Sequence, residues 1–329
     1  MAICILGDIH FRDDKPYFVE TCEKFLDWYN NDSFNNKDND LILLGDLVER
    51  PTLSGRVAEF LERFYNYTKF RSIHIVVGNH DLKRHFGVEQ LAYEFYKDKP
   101  SVYIYESLTE VDIDGHSFLM MPHYNGENED GFNMKEFYSN LHKNPKYNKH
   151  YDFALGHFCC DDMTFAGSEA VSNLESMDIG KLVLGHIHTR NINPNRYLGS
   201  VFANKKSEND YNRAMLIIDG NSTYEYKLPI FNEFIDITYP NKPMDVKSLV
   251  QIYTIYNCAS ESIAKDYYGK DIFIKMVTKN ESDIKKQDDT VYATDFTKVV
   301  DIKSSFEEYS KMVNLSPEVD KECRNALNI

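Results

Sequence analysis

The stretch AICILGDIH at residues 2–10 runs five apolar residues directly into Gly7, Asp8, Ile9 and His10. An apolar run of this length closed by glycine reads as a buried strand emerging into a loop, with the acidic and imidazole side chains delivered at its end. The pattern recurs four times: DLILL precedes GD at 45–46, SIHIVV precedes GNHD at 78–81, YDFAL precedes GH at 156–157, and KLVL precedes GHIH at 185–188. Five strand ends thus supply one pocket. A lone Gly-Asp or Gly-His at a strand end is an ordinary turn, because glycine takes positive φ and aspartate turns the chain. The ordered set of five is not explained that way, and five of the 11 histidines fall within it.

The residue types point to a reaction. Splitting a phosphodiester at neutral pH needs a hydroxide, a positive clamp on the phosphoryl oxygens and a proton for the leaving group. Two divalent metals about 3.5–4 Å apart supply the first two. Imidazoles mixed with carboxylate and amide oxygens suit Mn, Fe, Zn or Co better than an all-oxygen calcium cage, and no CxxC pair provides for a structural zinc.

On GDIH, GD, GNHD, GH and GHIH, in that order, residues 1 to about 230 resemble the calcineurin-like metallophosphoesterases, and within them the nuclease subunit of the SbcD or Mre-eleven type, phage recombination nucleases included. YLGS at 197–200 is similar to the segment that follows the last ligand pair in that family. The resemblance implies that Asp8, His10 and His188 hold one metal, that Asn79, His157 and His186 hold the other, and that Asp46 bridges them. It implies two divalent ions, Mn²⁺ first, with Mg²⁺, Fe²⁺ or Zn²⁺ as alternatives. His80 would act on the leaving oxygen, with Asp81 orienting its ring. Glu49, in GDLVERP, stands where many cellular members carry a histidine, and a carboxylate cannot donate as an imidazolium would. Glu49, His85 and His123 are candidate substrate contacts, whereas His74, His116, His142 and His150 lie in ordinary contexts.

Composition frames this reading. At 329 residues with 42% hydrophobic content, the chain is expected to form one large domain with a smaller appendage. A net charge of −15 runs against the basic face by which a protein normally meets a polyanion. Metals in the cleft and a partner subunit would have to supply the grip on DNA. The six cysteines are scattered or adjacent, as Cys159 and Cys160 are, which fits reduced thiols in a cytoplasmic protein and not a disulfide framework. MAICILGDIH has no basic segment and is too short for a membrane span, so no membrane association is expected.

The expected fold is α/β: a two-sheet β-sandwich flanked by helices over 1–230, a small α+β cap over 231–300, and terminal helices over 301–329. Helices are expected at 16–30, 55–68 and 88–97, with a helix-like stretch around SLVQIYTIYN at 248–257. The Asp114-Gly115 pair marks one hairpin and the Asp219-Gly220-Asn221 triplet another. Phe60, Phe64, Tyr65 and Tyr67 form an aromatic face that is either core or a dimer surface. Near the end, Ser305 and Glu308 make a capping box ahead of Phe306, Tyr309, Met312 and Val313, and Ser316-Pro317 opens a second run through Val319, Cys323, Ala326 and Leu327. In the resembled family such helices bind the coiled-coil ATPase subunit (SbcC, the Rad-fifty type), and the members pair as homodimers. The implied function is a DNA exo- and endonuclease subunit of a recombination and repair complex. The alternative is a stand-alone metallophosphoesterase acting on a phosphoprotein or a small phosphate ester.

Overall fold

The structure is a computed structural model, and it describes residues 1–85, 88–123, 133–160, 170–191, 196–243, 246–268 and 272–277. Its first strand, β1 (Ala2–Leu6), is buried along its whole length and is followed by α1 (Pro16–Asn31), β2 (Asp40–Leu43), α2 (Gly55–Tyr67) and β3 (Ser72–Val76). Proline at the start of α1 and the Ser54 hydroxyl accepting the Val57 N–H at the start of α2 fix where the helices begin. A hairpin of β4 (Leu82–His85) and β5 (Val88–Leu91) comes next, then β6 (Val102–Tyr105), β7 (Thr109–Ile113) and β8 (His116–Met121). Beyond α3 (Met134–Ser139) lie β9 (Tyr151–His157), the short pair β10 (Cys159–Cys160) and β11 (Ala170–Val171), and β12 (Ile179–Gly185). The hairpin β13 (Ala214–Asp219) and β14 (Ser222–Lys227) leads to β15 (Asn232–Thr238), β16 (Val250–Tyr256), α4 (Glu261–Tyr268) and β17 (Phe273–Val277).

Two sheets make the sandwich, one ordered β14-β13-β1-β2-β3-β6 and the other β12-β9-β8-β7. Strand periodicity sorts the core. Ile3, Ile5, Ile42, Leu44 and Val76 meet Phe118, Met120, Phe153, Leu155 and Val183 between the sheets. Cys4, Leu6, Leu41, Leu43, Ile73 and Ile75 turn the other way, onto Phe25, Leu26, Phe60 and Phe64 of α1 and α2. On the far side Leu119, Ala154 and Leu182 pack with Met134 and Tyr138 of α3. The central strands thus bury both faces, which is why they read as unbroken apolar runs.

Two expectations change, one open alternative is decided and one expectation stays untested. Residues 88–97 are not one helix: β5 pairs with β4, placing buried Leu91 opposite Leu82, and a short 3₁₀ turn at Glu94–Asp98 follows. The helical spacing there reflects Tyr93 and Tyr96, both fully buried, at a turn and not on a helix face. The 248–257 stretch is a strand, since β16 is the middle of a parallel sheet ordered β15-β16-β17, with Val250, Ile252, Tyr253 and Ile255 buried. Phe60 and Phe64 are fully buried core, so that half of the aromatic face is not an outer surface. The terminal helices at 305–327 fall outside the described residues. Tyr17 of α1 touches Phe234 and Phe273 edge-on, joining the three-stranded sheet to the start of the helix layer. No helix among the described residues is long and apolar enough to cross a membrane, and no disulfide joins cysteines among them.

Candidate active site

All five glycine-marked segments reach one end of the sandwich, at or just beyond β1, β2, β3, β9 and β12. The chain turns sharply there: His10, Asp46 and His186 have φ of 55°, 47° and 79°. Asp and His tolerate this left-handed region better than most residues, at a cost of roughly 1–3 kcal/mol each that the surrounding core sustains. The glycines permit close approach of the loops. A Cβ on Gly78 would lie 2.3 Å from both the main-chain nitrogen and the Oδ1 of Asp46, and one on Gly185 would lie 2.3 Å from the Leu44 carbonyl.

The side chains that meet are those the sequence singles out. His10 Nε2 and His188 Nε2 are 2.9 Å apart, and Asp46 Oδ2 is 3.7 Å from the former. Asp46 Oδ2 also sits 3.2 Å from His157 Nε2. Asn79 Oδ1 lies 3.0 Å from that same nitrogen and 2.8 Å from His186 Nδ1. Asp8, fully buried, accepts the main-chain N–H of His186 at 3.1 Å and approaches His157 Nδ1 at 3.4 Å. Asp46 is therefore shared between two half-pockets, one lined by His10 and His188 and the other by Asn79, His157 and His186, with Asp8 against His157 and the His186 main chain.

Charge is concentrated here without neutralisation by solvent. Burial alone would raise the Asp46 carboxyl, but His157, His10 and His80 hold it well below the usual carboxylate range. Burial would lower His157, yet Asp46 and Asp8 push it up to about 10, while burial and the His157 charge push His186 down to about 3. Among the described residues, three sets of ligand atoms lie within 4.8 Å of one another: His10–Asp46–His188, Asp46–His157–His186 and His10–Glu49–His80. Buried, convergent oxygen and nitrogen donors of these types fit a pair of divalent ions sharing Asp46.

A model of the calcineurin-like phosphoesterase family matches residues 1–190. The chain belongs to that family. This phosphoesterase is accordingly a metal-dependent hydrolase of phosphoesters. Among solved structures it is similar to a protein of unknown function from Aquifex aeolicus, at 16% identity over 54% of this chain and 87% of that one, with a TM-score of 0.32. It is also similar to the phosphopantetheinyl hydrolase of Mycobacterium tuberculosis, at 14% identity over 63% of this chain and 90% of that one, with a TM-score of 0.35. No curated protein matches it.

His80 stands beside this cluster. Its main-chain N–H donates to Asp46 Oδ1 at 2.8 Å, its ring meets that of His10 edge-on at 5.0 Å, and its Nδ1 donates to the Glu49 carbonyl at 2.6 Å. That last bond corrects the expected role of Asp81. The Asp81 carboxylate accepts the main-chain N–H groups of Leu47 and Gly78 at 2.9 Å and of Val48 at 3.3 Å, tying two loops together instead of orienting the His80 ring. Burial and the nearby Asp46 carboxylate push Asp81 upward, against those N–H donors.

The remaining expected contacts divide. The Glu49 carboxylate approaches His10 Nδ1 at 3.1 Å and Arg12 Nη1 at 3.2 Å. His123 donates its main-chain N–H to Val77, and its ring stacks 6.2 Å from that of His186. For His85 the described part is its backbone at the end of β4. Glu208 carries no signal in the sequence: it lies in the loop after YLGS, and only the fold brings its Oε1 to 3.1 Å from His188 Nδ1.

Proposed function

We propose that this phosphoesterase is a DNA nuclease, the catalytic subunit of an SbcCD-like recombination and repair complex. The observation that carries this reading is the charge beside the ligands. Arg12 is held by Asp14 at 2.6 and 2.9 Å and by Glu49 at 3.2 Å, and Lys205 faces Glu208 at 3.8 Å. These cations are already paired, so they are poorly placed to take up the second charge of a phosphomonoester. A diester carries one negative charge and needs less. When bound, two divalent ions supply the nucleophile and neutralise the phosphoryl oxygens.

The protein's own residues supply the rest. Asp8, His10 and His188, with Asp46, would hold one ion, and Asn79, His157 and His186, with Asp46, the other. An alkoxide leaving group on DNA is a poor one, and a proton delivered to it contributes about 10²–10⁴-fold. His80 is the residue for that step: with Nδ1 fixed on the Glu49 carbonyl, its Nε2 is the nitrogen left to carry the proton. The net charge of −15 means that most of the grip on DNA comes from elsewhere, and we assign it to a Rad-fifty type ATPase bound through residues 301–329, within a homodimer.

The same acidity favours a second reading, a stand-alone phosphoesterase acting on a phosphoprotein or small ester. Cleavage of linear duplex and single-stranded DNA by the purified chain in Mn²⁺, beside a monoester and beside His80→Ala, separates the two. DNA cleavage lost in the variant establishes the nuclease. Monoester hydrolysis with DNA intact, even with the ATPase partner added, establishes the alternative.

A further inference from the structure

The two half-pockets are backed by different chemistry. His10 and His188 aim their Nε2 atoms at one point, 2.9 Å apart, and the far nitrogen of each meets a carboxylate. His10 Nδ1 is 3.1 Å from Glu49 Oε2, an ion-pair approach instead of an aligned hydrogen bond, and His188 Nδ1 is 3.1 Å from Glu208 Oε1. In the other half-pocket His157 gives its Nδ1–H to the Leu44 carbonyl at 2.6 Å, with the Asp8 carboxylate farther off at 3.4 Å and shared with the His186 main-chain N–H, and its companion ligand is the neutral amide of Asn79.

Glu208 is not a passing surface carboxylate. It is 7% exposed, and its Oε2 accepts the Asn204 N–H at 2.9 Å. Its carbonyl accepts from Arg213, a buried guanidinium that also donates to Ser200 Oγ at 2.9 Å, and Ser200 in turn donates its N–H to the His188 carbonyl at 3.1 Å. Glu49 is fixed from the opposite side, through Arg12 Nη1. Arg12 also donates to Asn204 at 3.4 Å, so one guanidinium spans both supports.

A carboxylate behind a ligating imidazole fixes its tautomer, aims its lone pair and raises its basicity, and removing such a partner typically costs 10–100-fold in metal affinity. We propose that Glu49 and Glu208 are positioning residues that make the Asp8–His10–His188 half-pocket the tight metal position, leaving the Asn79–His157–His186 half-pocket as the weaker, exchangeable one. The inference rests on the two-metal reading of the site and on no particular substrate.

The test is a titration of chelator-stripped protein with Mn²⁺ alone, following free Mn²⁺ by its paramagnetic resonance signal, with thermal unfolding of each metal-free variant alongside. The unmutated protein is expected to show two sites separated by about tenfold or more. Glu208→Gln is expected to weaken the tighter site by about 10–100-fold and leave the weaker one alone, and Glu49→Gln to do the same. Asn79→Ala is expected to remove the weaker site and spare the tighter. Equal sites in the unmutated protein, glutamine variants that bind as it does, or variants that weaken both sites alike overturn the proposal. Should Glu208→Gln not fold, Glu49→Gln carries the comparison. No Mn²⁺ bound by the unmutated protein is a different result, and it removes the two-metal reading together with the inference.

Discussion

The carbonyl of Glu49 holds the ring of His80 by a 2.6 Å hydrogen bond to Nδ1. A main-chain atom does this, so the ring's aim survives replacement of the Glu49 side chain. His80→Ala is therefore expected to retain both metals and lose about 10²–10⁴ in DNA cleavage. If His80 protonates the leaving oxygen, the loss shrinks for an aryl phosphodiester whose leaving group needs no proton. An equal loss on both substrates would reassign the residue to charge stabilisation.

Glu49→His places at this position the imidazole that the resemblance to the SbcD type leads one to expect there. With the His80 anchor intact, and with Mn²⁺ at a concentration that fills the position weakened by loss of the Glu49 carboxylate, exonuclease activity on linear duplex is expected to rise. Unchanged end-degradation in a gel assay would make the Glu49 side chain irrelevant to substrate, though not to His10, which it approaches at 3.1 Å.

Asp46 belongs to both candidate ligand groups, His10–Asp46–His188 and Asp46–His157–His186. Asp46→Ala takes away the oxygen 3.2 Å from His157 and the acceptor for the His80 N–H. Metal content by elemental analysis and cleavage should vanish together. Two metals retained would contradict the bridging assignment.

Gly78→Ala puts a methyl group 2.3 Å from the Asp46 nitrogen and Oδ1, both fixed by the fold. Overpacking of this kind costs about 1–3 kcal/mol. A lowered denaturant midpoint with reduced metal content is the expected result, and wild-type values for both would show that the loops can part.

His74 is a structural histidine with a measurable pH signature. It sits 5% exposed between the Ser72 hydroxyl, 2.8 Å from Nε2, and the Tyr105 hydroxyl, 2.7 Å from Nδ1, and burial lowers it from 6.5 to about 4. Between those values the unfolded chain binds a proton that the folded chain does not. Stability contributed by neutral His74 is full above pH 6.5 and is lost as pH falls towards 4, by up to about 3 kcal/mol. His74→Gln, compared with the unmutated protein by urea unfolding from pH 7 to 4.5, should show the shallower loss.

The chain by itself determined the central strands of the sandwich, their burial on both faces and which Asp, Asn and His side chains come together at its end. Those depend on local facts: unbroken apolar runs, glycines where loops must touch, and Asp, Asn or His at the next position. AICILGDIH and SIHIVVGNHD carry all of this within ten residues each. What only tertiary structure decided lies in contacts between distant segments. Spacing put residues 88–97 on a helix, but the pairing of Leu82 with Leu91 took the first of them into a hairpin. Adjacency made Asp81 the partner of His80, but three N–H groups from two loops claimed its carboxylate. Glu208 reaches His188 from beyond the YLGS segment, and no periodic or motif signal marks Glu208 itself. A motif fixes which atoms can bind a metal because that is a property of side chains. Which groups stand behind those side chains is set by how loops cross, and loop crossings are written only in the folded chain.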